Sequence, residues 1–244
     1  MGGIQITVKT IRSLARGLQI LEAIAAHQPV GLTALCVATG EDKSALQRIL
    51  ATLHSSGWIQ PASASSPQWE LAAKPIVVSG RARQSSSLQG RARRFLGPLR
   101  DRTNETVHLA LLDNSTLVVA DVAEGTHVVR TALPIGQVHP FETSSAGRAI
   151  FAHLSPAQRA DRADSPEKLL TPDEYEAIRQ RGWASSAGAV LEGSNSIGAA
   201  ILDSTGAPVG ALVISGPANR LTPERCAELG AALVETVSQL SHHH

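Results

Sequence analysis

The residue pattern predicts an α+β chain in two parts: a small helical head, and a larger body of antiparallel strands flanked by helices. Three observations carry this. Residues 31–59 read as two short helices broken at Gly40 and followed by a strand, the layout of a winged helix-turn-helix. Beyond residue 104, short apolar runs are separated by turn clusters, as in hairpins rather than alternating βαβ units. Charge divides the chain as well: residues 1–94 hold 11 Lys and Arg against 4 Asp and Glu, whereas residues 95–244 hold 11 against 17. A whole-chain net charge of +1 therefore joins a basic head to an acidic body.

In the head, Ser13 is placed to cap a helix in which Leu14, Leu18, Leu21 and Ile24 keep helical spacing. Thr33 is placed to cap the next, with Leu35, Val37 and Ala38 as its apolar start, and Gly40 supplies the left-handed exit. The third helix carries an apolar stripe of Leu46, Ile49, Leu50 and Leu53. Its opposite face presents Lys43, Ser44, Gln47 and Arg48, whose chemistry suits a DNA groove: cations for phosphates or guanine, an amide for adenine, an adaptable hydroxyl. Arg16, Lys43 and Arg48 are expected on the backbone, Ser44 and Gln47 on base edges, with Thr33 beside them. Glu41 and Asp42 favour the helix dipole yet would face phosphates if that end enters the groove. Short strands at residues 58–60 and 68–71 flank a Pro, Ser and Ala loop, and so predict a hairpin wing. If roughly six head charges meet phosphates, affinity should fall about a thousandfold between 50 and 200 mM salt.

The expected division is a DNA-binding domain over 9–74, a linker helix over 75–88 and a sensor-like body over 89–241. Pro75 suits a first helical turn, and a second helix from about 88 to 102 should bend at Gly97-Pro98. Its Arg91, Arg93 and Arg94 suit either DNA or the acidic body. In the body, 106–112 and 116–122 predict a hairpin around Asp113-Asn114-Ser115, and 128–133 a third strand. Helices follow over 147–154 and 172–181, then a hairpin of 196–203 with 208–215. Thr222-Pro223-Glu224 opens a last helix running to about residue 240. Residues 242–244, all histidine, read as a tag remnant.

Several function classes find no support in these residues. No apolar run reaches the roughly 18 residues of a membrane span, and no signal-peptide pattern opens the chain. Two cysteines, Cys36 and Cys226, predict a reduced, cytoplasmic protein without a disulfide framework, Cys36 being core filler. The serines near 144, 145 and 196 lack a Gly-x-Ser-x-Gly elbow, and His108, His127, His139 and His153 lack the spacing of a zinc site. No Gly-rich phosphate loop occurs. The expectation is a protein that is not an enzyme and needs neither cofactor nor metal. A sensor whose winged helix contacts protein instead of DNA is the alternative, favoured by Glu41 and Asp42 and opposed by the basic head.

Ordered blocks along nearly the whole chain resemble the IclR-type bacterial transcriptional regulators. They are residues 13–21, 43–50 and 53–59 in the head, then Ser145-Ala146-Gly147-Arg148-Ala149, Arg181-Gly182-Trp183-Ala184 and Ile214-Ser215-Gly216-Pro217 in the body. The resemblance implies a winged helix-turn-helix joined by a linker helix to a GAF-like effector domain. It also implies dimers, or dimers of dimers, on palindromic operators in double-stranded DNA, repressing or activating according to a small molecule. Carried over by position, it places the effector site at Ser145, Ala146, Gly147, Ser186, Ser196, Val213 and Ser215. Ser186 stands where many members have aspartate and Ser196 where they often have cysteine, while Gly188 and Ala189 replace a usual acidic pair. Hydroxyls in place of a charge and a thiol suggest a neutral, hydrogen-bonding pocket for an amino acid or a small keto or hydroxy acid, its carboxylate near the helix that starts at Ser145.

Overall fold

A computed structural model describes residues 11–63, 66–82, 88–113 and 116–241. The backbone divides into two compact units, Met1–Arg83 and Gln84–His244. The expected turn at 114–115, the polar stretch at 84–87 and the terminal histidines lie outside the described residues.

In the first unit, α1 (Arg12–His27), α2 (Leu32–Thr39) and α3 (Lys43–Ser55) surround a core of Ile20, Ile24, Leu35, Leu46 and Leu50. A three-stranded antiparallel sheet joins it, with β3 (Gln68–Leu71) between β1 (Val30–Gly31) and β2 (Ile59–Pro61). Its strands contribute Val30 and Ile59 to the same core. Strands β2 and β3 form the expected wing hairpin. Helix α4 (Lys74–Ala82) follows, Pro75 falling in its first turn.

Three expectations in this unit need correction. Ser13 is not a cap: α1 starts at Arg12, with Ile11 at the N-cap position and no side-chain cap. Thr33 is not a cap either, because Val30 and Gly31 pair with Trp69 and Gln68, leaving Gly31 at the N-cap and Thr33 inside α2, exposed. The stripe of α1 also turns away from the predicted one. Ile20 and Ile24 are buried and Leu21 half-buried, while Leu14 and Leu18 stay 59% and 52% exposed. Gly40 ends α2 at φ 69°, its N–H donating to the Cys36 carbonyl, the left-handed exit that glycine permits.

The second unit opens with α5 (Leu88–Thr103), which continues through Pro98 as one helix. A five-stranded antiparallel sheet runs in the order β5 (Thr116–Ala123), β4 (Thr106–Asp113), β8 (Pro208–Pro217), β7 (Ser194–Leu202), β6 (Ala184–Ala187). Helices cover both faces. Leu96 and Leu99 of α5 and Leu229 and Leu233 of α9 (Pro223–Ser241) pack on Val107, Leu109, Leu212 and Ile214. On the other face Ala146, Ile150 and Phe151 of α6 (Ser145–Ala152) and Tyr175 and Ile178 of α8 (Pro172–Arg181) pack on Ala110, Ala211 and Val213. Between these helices lies α7 (Pro156–Arg162), opened by a capping box in which Ser155 and Gln158 satisfy each other's backbone N–H. The strand expected at 128–133 is absent: Val128 and Val129 are 96% and 68% exposed, and the segment runs as a loop whose Thr131 carbonyl accepts the Thr106 hydroxyl at 2.6 Å.

A candidate DNA-binding helix and a hydroxyl-lined cavity

Helix α3 sets its polar face by its own apolar spacing. Leu46 and Leu50 anchor one side, so Lys43, Ser44, Gln47 and Arg48 emerge on the other, all exposed. Asp42 starts the helix, its Oδ1 accepting the Ser44 and Ala45 N–H groups at 3.0 and 2.9 Å and the Ser44 hydroxyl at 2.7 Å. Those donors, the Ala45 N–H foremost, hold the Asp42 carboxyl below its ordinary pKa. The Ser44 hydroxyl is thus already engaged. Glu41 turns back to Arg16, 3.0 Å away, so neither of these side chains is a lone charge. Among the described residues, Lys43 and Arg48 make no ion pair, and Gln47 carries no recorded side-chain partner.

In the second unit the sheet register aligns hydroxyls. Ser186 pairs with Ser196, Ser196 with Ser215 and Ser215 with Thr106, so four strands contribute one row of Ser and Thr. The next row brings Gly198, Val213 and His108 abreast. Ser145, the first residue of α6, closes on this surface, its Oγ 2.8 Å from that of Ser196. That approach depends on Gly198, because a Cβ there would lie 2.8 Å from the Ser145 carbonyl carbon. The Ser186 hydroxyl donates to the Thr143 carbonyl at 2.7 Å.

A cavity of about 20 Å³ results, lined by Ser145, Ser186, Ser196, Val213 and Ser215, with His108, Thr131, Leu133, His139, Ser144 and the segment 189–191. The other two residues carried over by position lie elsewhere. Ala146 is fully buried in the helix-sheet core, and Gly147 packs so closely on Phe141 that a Cβ would overlap its carbonyl. Two histidines whose sequence spacing fits no motif also line the cavity. His108 and His139 are 1% and 4% exposed, and their rings meet edge to face at 5.4 Å. Both ring nitrogens of His108, Nε2 of His139, Oγ of Ser215 and Oγ1 of Thr131 have no hydrogen-bond partner among the described residues. Burial, reinforced by the neighbouring His139, pushes the His108 pKa down to about 3, and burial lowers that of His139. Both rings are neutral near pH 7. The signal that finds this pair is structural, since two residues on separate elements share no sequence period.

Comparison with known proteins matches these two units in turn. The IclR helix-turn-helix domain matches residues 13–62, and the bacterial transcriptional regulator IclR C-terminal domain matches residues 81–242. The acetate operon repressor of Salmonella typhimurium is 30% identical over 95% of this chain and 89% of its own length. The transcriptional repressor IclR of Escherichia coli is 29% identical with the same coverage. Among solved structures, an IclR transcriptional regulator of Alicyclobacillus acidocaldarius superposes with a TM-score of 0.83 at 20% identity, covering 96% of this chain and 99% of that one. IclR of Thermotoga maritima gives 0.71 at 22% identity, with 96% and 98% covered. These relatives regulate transcription and are not enzymes, and among the described residues no helix is long and apolar enough to cross a membrane. The helix-turn-helix of the first unit and the five-stranded second unit place this chain in the IclR family of DNA-binding transcriptional regulators.

Proposed function

We propose that this regulator is ligand-responsive. A homodimer, or a dimer of dimers, reads a palindromic operator through paired copies of α3, and a small metabolite in the second unit's cavity changes that affinity. Two-fold proteins match two-fold sites, and so half-sites about one helical turn apart are expected. Lys43 and Arg48 contact phosphates and Gln47 reads a base edge. Arg16 contributes once Glu41 releases it, and Ser44 and Thr33 play smaller parts. The working domains are residues 9–74 and 89–241, with a linker over 75–88 that begins in α4.

The observation that carries the ligand reading is the hydroxyl row of Ser186, Ser196 and Ser215 closed over by Ser145. Hydroxyls on rigid strands orient a small polar molecule and exclude a bulky apolar one. The space now left, about 20 Å³, admits roughly one water-sized group. A ligand of a few heavy atoms therefore enters by displacing the segment 189–191, where Leu191 is already 45% exposed.

The test pairs two measurements on the full chain. A thermal-shift screen of small acids and amino acids finds stabilising ligands, and mobility shifts on the gene's own upstream region are then repeated with each of them. A stabilising compound that changes operator affinity supports the reading. Failure to retard any upstream fragment at low ionic strength, with or without metabolites, overturns it.

A further inference from the structure

Four buried groups in this cavity have hydrogen-bonding atoms without a partner among the described residues: His108, His139, Ser215 and Thr131. Each is at most 4% exposed. Buried polar atoms are normally satisfied, so a cluster of unsatisfied ones facing a shared space marks a missing partner. Helix α6 begins at the same wall with Ser144 and Ser145, bringing the positive end of its dipole there. No Lys, Arg, Asp or Glu lines the cavity.

We propose that His108 and His139 are the acid-recognising pair of this cavity. A small monocarboxylate enters as its anion, one imidazole takes up a proton from solvent, and the resulting imidazolium–carboxylate pair is held by the Ser215 and Thr131 hydroxyls. The inference rests on the reading that this cavity takes the effector, and it names that effector's charge and the residues that read it. A cation would find no carboxylate in the lining, and a neutral polyol would leave the α6 dipole unused. An anion alone would meet neutral rings; an anion with a proton gives a charge-assisted bond in a water-poor site, which is the stronger kind.

The surroundings leave the pair free to act. On β5, Asp121 pairs in register with Leu109, so it faces the opposite side of the sheet, toward Arg93. On the loop leading into α6, the Glu142 carboxylate accepts the Ser165 N–H, and Arg148 of α6 reaches the carbonyls of Glu142 and Ser185. In the loop after β5, Glu124 and Arg130 pair with each other. Strands β7 and β8 bring only hydroxyls and Val213 to the cavity. The charge that decides the titration of His108 in the complex is therefore the ligand's own.

The test uses the full-length chain with acetate, lactate and pyruvate as acids, and lactamide and glycerol as neutral counterparts. Calorimetry at pH 6, 7 and 8 in buffers of different ionisation heat reads both affinity and protons. The expected result is an acid that binds with uptake of about one proton, weakening about tenfold per pH unit while the liganded pair stays protonated. Nitrogen-15 spectra of labelled histidine should show an imidazolium signal that appears only in the complex and is missing from the His108→Asn or the His139→Asn spectrum. His139→Asn and His108→Asn should abolish the pH dependence, with retained melting and DNA binding reporting an intact fold. The wild-type spectra decide the matter if a variant does not fold. An acid that binds with no proton uptake, or lactamide binding as well as lactate, overturns the histidine assignment while leaving the cavity an effector site. No binding by any probe, with operator affinity indifferent to all of them, overturns both.

Discussion

The side-chain oxygens of Ser145 and Ser196 lie 2.8 Å apart, tying the first residue of α6 to β7. Replacing Ser196 strands the hydroxyl of Ser145, which is buried. Ser196→Ala should cost about 1 kcal/mol, seen as a melting point lower by about 2–4 °C for a domain of this size. A ligand that uses the freed Ser145 hydroxyl restores the difference, so the deficit should shrink at saturating effector.

Salt separates the cations of the head. Arg48→Ala should lower the slope of log affinity against log salt by about one, as expected for loss of one phosphate contact. Arg16→Ala should change it less, because Glu41 holds Arg16 at 3.0 Å before DNA arrives. Glu41→Ala should tighten binding, since it frees that guanidinium and removes a negative charge. Fluorescence anisotropy on an operator fragment between 50 and 200 mM salt measures all three, and a weakened Glu41→Ala variant would contradict the assignment.

Acid should destabilise the second unit through His108. In the unfolded chain its ring takes a proton below about pH 6.5, whereas in the fold burial holds its pKa near 3. The unfolded state thus binds the extra proton between these values, and stability declines as pH falls from 6.5 toward 3, by about 1.4 kcal/mol per pH unit for one group. Above pH 6.5 this group contributes no slope. His139 acts in the same direction. Urea midpoints at pH 7, 6 and 5 should fall in order, and His108→Asn should flatten the trend.

Gly147 has no room for a side chain, since a Cβ would overlap the Phe141 backbone. Gly147→Ala must push α6 off the loop before it, at a cost of about 1–3 kcal/mol for overpacking. Thermal melts should show the loss in the second unit, while Gly40, open on all sides, fails for a different reason: its φ of 69° strains any residue with a Cβ.

How far residues alone carried the reading depended on whether local pattern or long-range pairing decided each element. Helix α3 was legible because one stripe, Leu46 with Leu50, leaves a single polar face. The hairpins of β4 with β5 and β7 with β8 were legible from apolar runs around turns. Helix α1 misled because Leu14 and Leu18 keep the same period as the residues that are buried, and only packing chooses between two offset stripes. Residues 128–133 are rich in strand formers yet form a loop, its Thr131 carbonyl bonded to Thr106. Strand β6, with the sequence Ala-Ser-Ser-Ala, has no β-branched residue to announce it, and edge pairing with β7 makes it a strand. The histidine pair was invisible because contact between β4 and the segment before α6 is a property of the closed fold.

The row of Ser and Thr running through Ser186, Ser196, Ser215 and Thr106 places each hydroxyl on a different strand, with its backbone fixed by ladder bonds to its neighbours. Exchange of one of these side chains for another of similar bulk changes one hydroxyl of the row and leaves the strand ladder in place. On the proposed reading, changes of one codon at a time can retune which small molecule this cavity prefers, with no change in the separate helix-turn-helix unit.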